Sequence, residues 1–222
     1  MKPFDYSRIH KPLLVRVAGK LAHGAMHKLY KPLLYSGEEN MPLNGAFIVA
    51  SNHINALDPL PIMLAAYPRR EIHYMAKAEL FKNFAASRLL KVGGAFPVKR
   101  GIGSRGALNY ACMLLRAGRA VGIFPEGTRF PGGAPQEPRT GVAKLAYETG
   151  APVLPCAIYS PGRGAFGEPV TLRFGKLMHN SEIDFGDGKS GGRKTASAQI
   201  MKEISRLWEE LRDEQRNTQA KN

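Results

Sequence analysis

The stretch Asn52-His53-Ile54-Asn55-Ala56-Leu57-Asp58 places a histidine and an aspartate five positions apart. On one continuous helix that spacing is about 500° of turn, which would point the two side chains roughly 140° apart. They meet only if the chain bends between them. A bend is expected, because the apolar run 46–51 reads as a strand and Asp58-Pro59 reads as a helix start, aspartate at the N-cap and proline at the first helical position. His53 then stands at a strand's carboxyl end and Asp58 at a helix mouth. There Asp58 could accept a hydrogen bond from Nδ1–H of His53, fixing the tautomer that leaves Nε2 free as a base. Two plainer uses compete: Asp58 as a helix start alone, and His53 as a satisfied loop histidine. A metal site is disfavoured, since no further His, Cys or carboxylate stands at ligand spacing.

A second stretch, Phe124-Pro125-Glu126-Gly127-Thr128-Arg129-Phe130, also follows directly on a strand. Pro125-Glu126-Gly127 makes a turn, and Gly127 lets backbone N–H groups come close to a ligand. Thr128 adds a hydroxyl and Arg129 a bidentate guanidinium, a set suited to phosphate. The alternative is an ordinary exposed turn. Lys99 and Arg100 leave another strand end, as an anion site or as plain surface charge. Arg139, just ahead of Gly141 and a helix start, could join the same cluster.

These residues need elements to position them. From Gly45 onward strands alternate with helices: strands over 46–51, 71–77, 95–100, 120–124, 152–160 and 169–178, and helices over 58–67, 79–91, 103–117, 141–149 and 195–215. That alternation implies an α/β fold with a largely parallel central sheet flanked by helices. In such sheets ligands sit beyond the carboxyl ends of the strands, where the unusual residues fall.

The chain has 222 residues, 44% of them hydrophobic, enough for one packed core. Its 32 Lys and Arg against 18 Asp and Glu give +14, which points to an anionic partner: nucleic acid, an acidic membrane surface or phosphorylated metabolites. Cys112 and Cys156 each lie in an apolar stretch and read as buried free thiols, fitting a reducing compartment. No stretch approaches the ~18–20 uncharged apolar residues of a spanning helix, and no secretory signal is evident, so a soluble or peripheral protein is expected. Residues 12–31 have a helical period, with Leu14, Val17, Ala18, Leu21, Ala25 and Leu29 on one face and Arg16, Lys20, His23, His27 and Lys31 on the other. This is either an interfacial membrane anchor or a surface helix with a solvated basic face.

Four blocks stand in order: Asn52-His53-x4-Asp58, Gly94-x-Phe96-Pro97-Val98-x-Arg100, Phe124 to Arg129, and Ala151 to Ile158. In this order and spacing the chain resembles the PlsC-type acyltransferases, the 1-acylglycerol-3-phosphate acyltransferase family, over roughly residues 35–180. The resemblance implies transfer of a fatty acyl group from a thioester, on coenzyme A or acyl carrier protein, to the free hydroxyl of 1-acylglycerol 3-phosphate. It implies His53 as general base and Asp58 as its support. It also implies Arg100, Glu126, Gly127, Thr128 and Arg129, joined by Arg139, around the acceptor, with residues 151–158 at the acyl site and no cofactor or metal. The partners implied are a lysophospholipid, an acyl thioester and an anionic membrane surface rather than nucleic acid. Residues 1–35 then become a basic membrane-docking segment, 36–222 the α/β domain, and the location the cytoplasmic face of the cell membrane. Two alternatives stay open: an acyltransferase for another lysolipid, such as a lyso-ornithine lipid, or for glycerol 3-phosphate; and a basic protein that binds nucleic acid or acidic lipid without catalysis.

Overall fold

In the computed structural model the residues described are 28, 30–67, 69–83, 87, 90, 94–98, 103–131 and 133–219. Seven strands form one sheet: β1 (Leu33–Ser36), β2 (Phe47–Ser51), β3 (Ile72–Lys77), β4 (Phe96–Val98), β5 (Ala120–Ile123), β6 (Val153–Tyr159) and β7 (Val170–Phe174). Their order is β1-β7-β6-β2-β5-β3-β4. All neighbours are parallel except β6 and β7, so β1 and β7 run against the other five. The largely parallel sheet expected from the strand–helix alternation is the one observed.

The central strand shows why a continuous apolar run forms it. Every residue of β2 is buried, as a parallel strand covered on both faces requires. Its side chains alternate between two cores. Ile48 and Ala50 pack with α2 (Gly103–Arg116), α3 (Gly141–Thr149) and α4 (Ser190–Gln219) through Leu115, Leu145, Ile200 and Ile204. Phe47 and Val49 face the other way, onto Ile62 and Ala66 of α1 (Pro59–Ala66) and onto Tyr30, Met41 and Phe174. Farther along α4, Leu207, Trp208 and Leu211 close over Ala157. Cys112 and Cys156 are free and buried, as their apolar surroundings suggested.

Three of the expected elements differ from those observed. β1 went unforeseen, and the expected boundary at 35/36 cuts through it; its register partners are 170–173, far along the chain, so nothing local marks it. The last helix starts at Ser190 instead of 195, taking in Gly191 and Gly192. A Cβ on Gly192 would stand 1.9 Å from the Phe185 carbonyl oxygen, so glycine there lets the first turn pack tightly and is not a helix breaker. Of the expected 79–91 helix, a 3₁₀ turn covers Ala78–Phe81, and much of the remainder lies outside the described residues. The expected basic amphipathic helix at 12–31 lies outside them too, apart from Lys28, Tyr30 and Lys31.

Candidate active site

The site forms where the sheet's connections diverge. The chain leaves β2 toward β3 on one side and leaves β5 toward β6 on the other, which opens a crevice at the carboxyl ends of these two adjacent strands. Two loops meet there, 52–58 after β2 and 124–140 after β5. The first is pinned at both borders. Asn52 Nδ2 donates to the Ile158 carbonyl at 2.9 Å and its Oδ1 accepts from the Ile158 N–H at 2.8 Å, extending the β2–β6 pairing with a side chain. On the other border the Phe130 N–H donates to the His53 carbonyl at 2.8 Å.

The bend between His53 and Asp58 is present. The Asn55 side chain accepts from the Leu57 N–H at 2.9 Å, and the Asp58 N–H reaches the Asn55 carbonyl at 3.2 Å, which folds the chain back on itself. One carboxylate oxygen then takes three donors. Oδ2 of Asp58 accepts from His53 Nδ1–H at 2.7 Å, from the Ile54 N–H at 2.7 Å and from the Asn55 N–H at 2.8 Å. An oxygen already receiving two backbone N–H groups is an acceptor toward the ring as well, so Nδ1 carries the proton and Nε2 presents its lone pair. One detail differs from the sequence expectation. Asp58 occupies the N-cap position of α1 but makes no side-chain capping bond; its carboxylate is turned back into the loop.

Asp58 is buried, while the His53 side chain keeps 17% of its surface exposed, enough to meet a substrate. The imidazole lies flat on Phe124, centroids 4.0 Å apart at 12°, and Phe124 in turn stacks on Tyr74 at 5.6 Å. Together the carboxylate and the aromatic column leave the ring little freedom to rotate.

In the β5 loop, Thr128 and Arg129 are exposed. Gly127 adopts φ +69°, and a Cβ there would stand 2.8 Å from Arg139 Cδ and 2.9 Å from Nε. The Arg139 side chain therefore lies across the turn, held as the Arg139 N–H donates to the Pro125 carbonyl at 2.8 Å. The structure thus brings Gly127, Thr128, Arg129 and Arg139 together. Arg100 and Lys99 lie outside the described residues. Glu126 is placed unlike a residue that greets a ligand: it is 4% exposed, and its Oε1 accepts from the Gln136 N–H at 3.2 Å. Burial pushes its carboxyl up to about 7; the N–H groups of Gln136 and His53 oppose the rise, and the charge of Asp58 adds to it.

Sequence reasoning missed Asn52, Phe124 and Gln136. Asn52 carried a signal, being polar at the end of the apolar run of the central strand, where a buried polar group must find partners. Gln136 carried none, because only the folded return arm 133–139 brings it to Glu126. Among the described residues no group of three or more His, Cys, Asp or Glu could hold a metal ion.

An oriented imidazole with a free Nε2, beside an exposed arginine turn, can take a proton from a hydroxyl whose owner carries an anionic group. That is the chemistry of a group-transfer enzyme working by general-base catalysis. Comparison with known proteins makes the class specific. The family model described as Acyltransferase matches residues 33–159. The 1-acyl-sn-glycerol-3-phosphate acyltransferase of Bacillus subtilis is 35% identical over 149 residues, 66% of this chain and 73% of that protein. The protein of the same description from Borreliella burgdorferi is 35% identical over 130 residues, 58% of this chain and 51% of its own length. Among solved structures, the 1-acyl-sn-glycerophosphate acyltransferase PlsC of Thermotoga maritima superposes with a TM-score of 0.68 at 25% identity, covering 90% of this chain and 78% of that one. The chain belongs to the PlsC-type acyltransferase family.

Proposed function

We propose that this enzyme moves a fatty acyl group from a thioester to the free hydroxyl of 1-acylglycerol 3-phosphate, giving phosphatidic acid. The observation that carries the reading is the His53–Asp58 pair at 2.7 Å, one strand away from the exposed Gly127-Thr128-Arg129 turn with Arg139 across it. The names of the relatives agree with it. Nε2 of His53 takes the acceptor hydroxyl proton as the oxygen attacks the thioester carbonyl carbon. Asp58 supports the imidazolium that forms. The tetrahedral oxyanion collapses, the C–S bond breaks, and the imidazolium returns the proton to the departing thiolate, so no acyl-enzyme forms. General-base help is worth ~10²–10⁴ in rate, and positioning with oxyanion stabilisation supplies the remainder. Arg129, Thr128 and the backbone at Gly127 hold the acceptor phosphate, with Arg139 and Arg100 as further cations.

Acyl-coenzyme A is the donor in this reading, with acyl carrier protein the other carrier of the same thioester, and no cofactor is used. The enzyme meets its lipid acceptor as a peripheral protein on the cytoplasmic face of the membrane. Among the described residues no helix is long and apolar enough to cross a bilayer. Segment 12–31 supplies the docking. Its end is tied down beside the site: Tyr30 is buried edge-on to Phe166 at 5.5 Å, and the Lys31 N–H donates to the Glu168 carbonyl. The same β6–β7 loop accepts the Asn55 side chain at the Arg163 carbonyl, so the loop that holds Tyr30 and Lys31 also holds the catalytic loop.

Purified protein given acyl-coenzyme A and a panel of acceptors (1-acylglycerol 3-phosphate, lysophosphatidylcholine, a lyso-ornithine lipid, glycerol 3-phosphate) tests the reading, with products identified by mass spectrometry. The phosphomonoester lysolipid should be acylated fastest. Preference for lysophosphatidylcholine or the ornithine lipid would remove it.

A further inference from the structure

Asn55 lies in the loop that carries the base and uses both ends of its side-chain amide. Oδ1 accepts from the Leu57 N–H at 2.9 Å, inside the bend, and Nδ2 donates to the Arg163 carbonyl at 2.9 Å, in the β6–β7 loop 160–169. One partner is a donor and the other an acceptor, so the amide has a single orientation. The loop it reaches is braced from within. Oε2 of Glu168 accepts from the Arg163 N–H at 2.7 Å and from the Ala165 N–H at 3.0 Å, and the Gly162 N–H donates to Ser160 Oγ at 3.3 Å. The main chain of Arg163 therefore joins the two loops, its N–H to Glu168 and its carbonyl to Asn55. Gly164 follows at φ +69°, where a Cβ would stand 3.1 Å from Ile54 Cδ1 and 3.8 Å from Asn55 Cβ. Glycine there lets the loop lie directly against Ile54 and Asn55. These are the same two residues whose N–H groups hold Oδ2 of Asp58.

We infer that the β6–β7 loop is a positioning element for the base, with Asn55 and Glu168 as its positioning residues. Glu168 fixes the Arg163 main chain, Asn55 ties the bend to it, and Ile54 and Asn55 hold the carboxylate that orients His53. The inference rests on the reaction proposed above for its kinetic readout. Asn52 pins the start of the base loop to Ile158 of β6, and Asn55 pins its crown to the loop that leaves the same strand. Asn55 is half-buried, and a bond between neutral groups beside water adds little to global stability. Its effect lies in where it sets the imidazole, because a misplacement of about 1 Å can cost on the order of 100-fold in rate.

The test uses the full chain as wild type, N55S, E168A and the double variant, with two readouts. Serine keeps an oxygen for the Leu57 N–H but is too short to reach the Arg163 carbonyl. Alanine at 168 releases the Arg163 and Ala165 N–H groups. Steady-state kinetics with acyl-coenzyme A and 1-acylglycerol 3-phosphate separate kcat from acceptor KM, and amide hydrogen exchange over residues 53–58 reports the base loop without reference to activity. Each single variant should lower kcat about three- to tenfold, leave acceptor KM within about twofold and quicken exchange over 53–58. Once the Asn55 tie is cut, loosening the β6–β7 loop has little path to the base, so the double variant should match N55S within about twofold in kcat. A double variant that falls by the product of the two single effects overturns the inference. E168A with wild-type kcat and exchange overturns it as well, and this variant decides the matter even where N55S fails to fold. If either single variant raises acceptor KM tenfold or more at unchanged kcat, the residue serves acceptor binding and the inference is overturned. A wild-type enzyme inactive on every glycerophosphate acceptor would instead remove the acceptor assignment, leaving exchange to judge the loop.

Discussion

Asp58→Asn is the sharpest perturbation of the dyad, because it keeps size and shape while removing charge. In the folded chain Oδ2 receives the imidazole and two backbone N–H groups at 2.7–2.8 Å. When His53 takes the substrate proton, the charge centres of imidazolium and carboxylate stand about 4 Å apart, an attraction of about 4 kcal/mol at an effective dielectric of about 20. The asparagine oxygen still accepts a neutral hydrogen bond and the partly exposed ring gains some solvation, so the transition state loses about 2–4 kcal/mol. That is roughly 30- to 1000-fold in kcat. The Ile54 and Asn55 N–H bonds also pass from a charged to a neutral acceptor, about 0.5–1.5 kcal/mol each. A Tm lower by about 2–12 °C follows for a chain of this size. Thiol release from acyl-coenzyme A measures kcat, and calorimetry measures Tm. Acceptor KM should move less than about threefold. A variant with kcat within threefold of wild type would refute the reasoning, since Asp58 would then lend the imidazolium nothing.

Gly127→Ala should cost about 1–2 kcal/mol at φ +69° and push Arg139 off the turn, lowering Tm by about 2–8 °C and raising KM for the phosphate-bearing acceptor more than for the donor. Parallel donor and acceptor titrations check it. Glu126 carries a pH signature of stability: its folded carboxyl is raised from 4.5 to about 7, so between those values the folded chain binds more protons than the unfolded one. Its contribution to stability therefore falls as pH rises through that window and levels off above it. Glu126→Gln, which never ionises, should match wild type near pH 4.5 and exceed it by about 1–3 kcal/mol at pH 8, read from thermal melts across that range. Reversing charge at Arg16, Lys20 and Lys31 should weaken binding to anionic vesicles by at least ~100-fold in flotation, while turnover of a short, water-soluble lysolipid survives.

Much of the site was legible because its chemistry is local. The His53–Asp58 pair could be tested against helix geometry, and the strand and helix signals around it required the bend that the Asn55–Leu57 contact makes. Strand β2 was plain for the same reason that it is central: a run buried on both faces has no polar alternation to disguise it. What depended on distant pairing was not legible. β1 is a short strand whose ladder partner among the described residues is β7, more than a hundred residues later. The purpose of Asp58 was ambiguous from sequence, because a helix-capping aspartate and one turned back to a histidine occupy the same position. The burial of Glu126 was not legible for a related reason. A polar residue in a glycine turn reads as ligand-facing, and only the return arm, whose Gln136 N–H meets its carboxylate, accounts for its burial.

The central claim is that Nε2 of His53 removes the acceptor proton, and His53→Ala tests it most directly. The fold should persist, since Asp58 keeps the Ile54 and Asn55 N–H groups and Phe124 keeps Tyr74. With acyl-coenzyme A and 1-acylglycerol 3-phosphate, phosphatidic acid formation followed by mass spectrometry should fall at least ~100-fold, the minimum worth of a general base. A folded His53→Ala enzyme that retains more than about a tenth of wild-type turnover would contradict the account.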